Sequence, residues 1–132
     1  MLKKISLVVV VLFSVVMLNS CSKESVTLGK IDGTWKVTSA SINGTNIPLG
    51  TDIVKLTFNK CKEKDALCSG SYFDSGDVDA FSYSISEDGT MVTLDPGTVD
   101  ELTWKIEEIT KTNLKLSLTD GTDILIYNLV KE

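Results

Sequence analysis

The 132-residue chain contains no histidine and no arginine. Without His, neither a Ser/His nor a Cys/His pair can form, so both common routes to an activated nucleophile are excluded and the usual metal ligand is missing. Without Arg, there is no planar fork to clamp a carboxylate or a phosphate, and all 13 basic residues are lysines. Long stretches of helical periodicity are also absent after residue 20. Acidic residues number 18 against those 13 lysines. A surface of that sign repels phosphate backbones and argues against nucleic acid as a partner.

Only one long apolar run is present. Lys3 and Lys4 precede an uncharged stretch from Ile5 to Leu18, which is the layout of a secretory signal. As a helix the stretch would span roughly 21 Å, short of the roughly 30 Å hydrocarbon core of a bilayer, so a permanent span is the weaker reading. Leu18-Asn19-Ser20-Cys21 resembles a bacterial lipobox, with Asn19 less usual at its position. The resemblance implies a signal over residues 1–20, a lipidated Cys21 bearing palmitate-type chains, and a lipid anchor in the outer membrane facing the periplasm or the cell surface. The alternative is an ordinary cleaved signal in which Cys21 is incidental. Residues 21–30 read as the acylated cysteine and a polar tether, and residues 31–132 as one domain, long enough for a single core. With Lys3 and Lys4 removed, 11 lysines face 18 acids, a net charge of −7.

The remaining cysteines, Cys61 and Cys68, flank a polar connector. Outside the reducing cytosol the preferred reading is a disulfide across a hairpin tip. A metal or redox pair is the rival, but Cys-x₆-Cys is not the spacing of common zinc knuckles or of CxxC oxidoreductases.

Eight short alternating segments follow one another, separated by Gly, Asp, Asn and Pro: 34–42, 53–59, 69–74, 80–86, 91–95, 101–110, 113–119 and 122–130. Phe81, Tyr83 and Ile85 alternate with serines, as on a half-buried strand. At Glu108-Ile109 the phase inverts, which predicts a bulge or a strand end. The last segment is apolar almost throughout, as a strand covered on both faces would be. Short strands and brief turns predict an all-β antiparallel meander, and closure into an eight-stranded up-and-down barrel removes both sheet edges. An immunoglobulin-like sandwich is the runner-up, although Cys61 and Cys68 lie too close in sequence for its inter-sheet bridge.

The stretch Ile31 to Gly44, with Gly33-Thr34-Trp35 near its start, resembles the opening Gly-x-Trp strand of lipocalins. It is most similar to the short lipocalin-like domains of bacterial lipoproteins, those of Bacteroidetes in particular. The resemblance implies that Trp35 closes one barrel end beneath a basic side chain from just past the last strand, here Lys131, with Gly33 completing the group. It also implies a small apolar ligand inside the barrel. The chain ends at Glu132, without the helix that follows the barrel in full lipocalins.

Five aromatic or apolar inward positions, Phe58, Tyr72, Phe81, Tyr83 and Trp104, are the candidate ligand contacts, with plain core as the competing role. Asp74, Asp77 and Asp79 offer oxygen ligands for calcium, but the same residues suit a hairpin turn and do not fit an EF-hand loop. No catalytic set, resident metal or cofactor is expected. The leading expectation is a membrane-anchored, non-catalytic binding module; the alternative is an accessory lipoprotein with a filled barrel and a protein partner on its outer surface or loops.

Overall fold

The computed structural model describes residues 22–62 and 67–132. The expected leader, Cys21 and the middle of the connector between the two cysteines lie outside them. The described residues form α1 (Lys23–Ile31), then β1 (Gly33–Ile42), β2 (Thr45–Ile47), β3 (Val54–Phe58), β4 (Cys68–Asp74), β5 (Asp77–Ile85), β6 (Met91–Leu94), β7 (Leu102–Ile109), β8 (Asn113–Asp120) and β9 (Asp123–Lys131).

All strand pairings are antiparallel, β3 through β9 pair in chain order, and β1 pairs with both β3 and β9. The eight strands β1 and β3–β9 therefore close into a barrel, which leaves no pair of stacked sheets with free margins and sets aside the sandwich. The ninth strand, β2, was not among the eight expected segments. It folds back on β1 through Asn43-Gly44, pairing Ala40 with Ile47 and Ile42 with Thr45. A register shift between Ile106 and Glu108 marks the bulge at the point where the alternation inverts.

Inward positions recur every second residue, as the strand period requires. Trp35, Phe58, Tyr83, Val92, Leu114, Leu116 and Leu129 are all at or below 2% exposure and form the centre of the core. Two local expectations are corrected. First, the last strand is covered on its inner face only: Leu125, Tyr127 and Leu129 pack inward, while Ile124 and Val130 are exposed on the outside. An apolar outer face fits β9 without burial because isolated apolar side chains on a surface cost little.

Second, residues 23–30, expected within a polar tether, are helical as part of α1. Ser22 caps α1 by accepting from the Ser25 amide at 3.0 Å, with Glu24 in the first turn and Lys30 in the last, each favourable for the helix dipole. Thr27, Leu28 and Ile31 bury one face of the helix against the barrel, and the Thr27 hydroxyl donates to the Gly89 carbonyl at 2.9 Å. That contact ties α1 to the turn between β5 and β6, so the helix covers one end of the barrel. The opposite end carries the β4–β5, β6–β7 and β8–β9 turns.

Candidate ligand cavity

The covered end is built from the residues that begin β1 and end β9. Trp35 is wholly buried, and its indole N–H donates to the Ile31 carbonyl at 2.8 Å, so the helix end and the first strand are joined through one side chain. Lys131 Nζ lies 5.3 Å from the centroid of a Trp35 ring, within cation–π range. Gly33 has φ +124°, and a Cβ there would stand 2.7 Å from Lys131 Cε. The Gly-x-Trp pattern therefore has a physical basis: glycine both adopts the backbone angle and leaves the channel along which the Lys131 stem reaches the indole.

Above this floor lies a tight aromatic group. Phe58 meets Phe81 and Tyr83 edge to face, with centroids 5.6 and 5.1 Å apart. Gly70, opposite Phe81 in register, makes room for its ring, since a Cβ there would come within 2.6 Å of two ring carbons. The Tyr83 hydroxyl donates to the Asn59 carbonyl at 2.6 Å. Asn59 in turn bonds Ser69 by main chain and side chain, and the Cys61–Cys68 disulfide, with Cα atoms 5.6 Å apart, closes the same β3–β4 connection.

Beyond the aromatic group the interior is not filled. A cavity of about 240 Å³ opens toward the end opposite α1, with walls from Leu56, Phe58, Tyr72, Phe81, Leu94 and Trp104 among others. Four of the five residues expected at a ligand site, Phe58, Tyr72, Phe81 and Trp104, line it. The fifth, Tyr83, does not: it has 0% exposure, and its hydroxyl is committed to Asn59. It belongs to the packed floor.

Two features were not anticipated. Tyr127 stacks on Trp104, with centroids 5.1 Å apart and planes 26° from parallel, and it lines the cavity. Its segment is apolar in both phases, so alternation could not show which side chains face inward. Asp79, Asp95 and Asp100 also line the cavity. Asp79 was legible in principle, because stepping back by two from Ile85, Tyr83 and Phe81 lands on it, and its register partner is Tyr72. Asp95 Oδ1 accepts from the Ser82 amide at 3.0 Å.

Burial first, and then the charge of Asp74, pushes the Tyr72 and Tyr127 phenols above the ordinary tyrosine value. Both therefore remain neutral hydroxyls at physiological pH. Asp74 and Asp77 face each other across the Ser75-Gly76 turn, whose φ angles are 49° and 106°, the left-handed pair of a tight hairpin. Together with Asp79 they were the calcium candidates. Among the described residues no three His, Cys, Asp or Glu side chains are grouped to hold a metal ion.

A family model described as a lipocalin-like domain matches residues 31–116. No curated protein and no solved structure matches the chain.

Proposed function

Since the chain belongs to the lipocalin-like domain family, we propose that it is a non-catalytic binding protein that takes a small, largely apolar molecule into the open half of its barrel. The observation that supports this reading is the cavity of about 240 Å³, apolar over most of its wall and closed below by the Phe58, Phe81 and Tyr83 group. Concave apolar sites with a few polar groups are the usual form of small-molecule sites, and this one is smaller than the roughly 300–1,000 Å³ of drug-sized ligands. The same space tells against the filled-barrel accessory protein, in which the aromatics would occupy the whole interior.

The reading includes a membrane anchor. If Cys21 is acylated, the lipid is attached just before α1, and α1 covers the closed end of the barrel. The cavity mouth then points away from the bilayer into the surrounding aqueous space, at the outer membrane on either its periplasmic or its external side. Several acyl chains at about 0.8 kcal/mol per buried CH₂ hold such an anchor durably.

Native mass spectrometry of the purified protein against a panel of short-chain lipids and aromatic metabolites tests the binding function. A bound species of 1:1 stoichiometry is expected, and it should be lost when Leu94→Trp fills the cavity. A protein that stays unliganded against the whole panel, with unchanged thermal stability, overturns the reading. Globomycin-sensitive incorporation of labelled palmitate, abolished by Cys21→Ala, tests the anchor separately.

A further inference from the structure

Asp79 breaks the pattern of its own strand. On β5 the inward phase runs Phe81, Tyr83, Ile85, all at least partly buried, and the next inward position toward the mouth is a carboxylate that lines the cavity. Its register partner is Tyr72, another lining residue. A turn would account for an aspartate at 74 or 77 but not for one at 79, which stands inside a strand. Asp100 lines the same cavity from the β6–β7 connection. The Asp100 amide donates to the Thr98 hydroxyl at 3.2 Å, but among the described residues neither the Asp79 nor the Asp100 carboxylate has a hydrogen-bond or salt-bridge partner, and neither do the hydroxyls of Tyr72 and Tyr127.

Three of the turns at this opening carry charge of one sign. The stretches 74–77, 95–101 and 120–123, which form the turns at the open end, hold seven carboxylates and no lysine. Among the described residues no lysine lines the cavity. Low-dielectric walls focus the field of such a rim and raise the local concentration of cations while repelling anions. Aromatic rings in the wall, Tyr127 and Trp104 among them, add attraction for a cation through their negative faces. A fatty acid or another carboxylate entering here would lose hydration and meet like charge without a single cation to pair with.

Resting on the binding function proposed above, we infer that the ligand is an organic cation: a small apolar or aryl body carrying an ammonium group. The body lies against Leu56, Phe81, Leu94 and Trp104, and the charged head stays at the mouth between Asp79 and Asp100. The head keeps part of its water there, which avoids the cost of burying an ammonium outright.

Three probes of equal chain length, octyltrimethylammonium, octanol and octanoate, titrated into the purified protein and followed by Trp104 emission, test this. The ammonium should bind at least ten-fold more tightly than octanoate, and octanol should fall between them. Raising the salt from 20 to 500 mM should shrink the gap between ammonium and octanoate several-fold while leaving octanol unchanged. The double variant Asp79→Asn/Asp100→Asn should bring the two charged probes to within two-fold of each other. Octanol or octanoate binding as well as the ammonium overturns the cation preference and leaves the binding cavity standing. A protein indifferent to all three overturns both.

Discussion

Trp104 and Tyr127 stack inside the barrel with ring centroids 5.1 Å apart, and both line the cavity, whereas the other tryptophan, Trp35, is sealed in the floor beneath Lys131. The two indoles thus report on different ends of one barrel. A ligand that enters displaces water from the Trp104–Tyr127 pair and leaves Trp35 untouched. Ligand-induced change in tryptophan emission should survive Trp35→Phe and vanish in Trp104→Phe. Persistence of the full signal in the latter variant places the ligand elsewhere.

The Gly33–Lys131–Trp35 group makes a non-additive prediction. Gly33→Ala carries a penalty of about 1–2 kcal/mol for the left-handed backbone and also pushes on the Lys131 stem, whose Cε would lie 2.7 Å from the new Cβ. Lys131→Ala alone removes a cation–π contact worth about 0.5–1 kcal/mol. In the double variant the steric part disappears, so its loss of stability should be smaller than the sum of the two single losses. Urea denaturation of all four proteins measures the coupling, and strict additivity would show that the lysine stem and the glycine are independent.

Reduction of the disulfide should lower stability without opening the barrel. Cys61 and Cys68 are separated by 7 in sequence, and the chain-entropy relation gives about 2.5 kcal/mol for so short a loop. The Asn59–Ser69 bonds and the Tyr83–Asn59 bond hold the same connection by other means. Paired Cys61→Ser and Cys68→Ser substitutions should therefore reduce the urea midpoint while preserving the far-ultraviolet spectrum. A collapse of that spectrum would show that the bridge is required for the fold.

The barrel was legible in the sequence because its signals are local and repeated: eight alternating segments, the Asp120-Gly121 hairpin, and a phase inversion at Glu108. The Gly-x-Trp residues could be placed at a barrel end for the same reason, since their neighbours in the chain are also their neighbours in space. What alternation hid depends on long-range context. Helix α1 is two turns long, with Val26, Thr27 and Gly29 weakening its propensity, so its period cannot emerge from a window of 11–18 residues; burial of Leu28 and Ile31 against the barrel supplies the stabilisation. Strand β2, at three residues, is set by the turn at Asn43-Gly44. Tyr83 was expected at the ligand and lies in the floor because inwardness does not reveal height along the barrel axis, while Tyr127 escaped notice because its segment is apolar in both phases.

Helix α1 should be an integral part of the domain. Ile31 is completely buried and Leu28 nearly so, and truncating such residues typically costs about 2–5 kcal/mol. Ile31→Ala should fall in that range, and Thr27→Val should cost less, through loss of the bond to Gly89 O. Hydrogen exchange gives the direct check: amides of α1 should be protected alongside those of β1, whereas a free tether would exchange within the dead time.

Alkaline pH should selectively weaken the floor. Burial, reinforced by the charge of Asp32, pushes the Tyr83 phenol up from the ordinary 10.0 to about 12. Between those two values the unfolded chain has released a proton that the native chain still holds, so the native state loses stability as pH rises. The contribution is complete below pH 10 and gone above the folded value. Tyr83→Phe removes this dependence together with the hydroxyl's bond to the Asn59 carbonyl; Asn59 is exposed, so water can replace the lost donor and the cost at neutral pH should be about 1 kcal/mol. Urea midpoints measured from pH 9 to pH 12 should therefore converge, with wild type more stable at pH 9 and its advantage lost by pH 12. Parallel curves for the two proteins would mean that the Tyr83 phenol ionises as easily in the native barrel as in the unfolded chain.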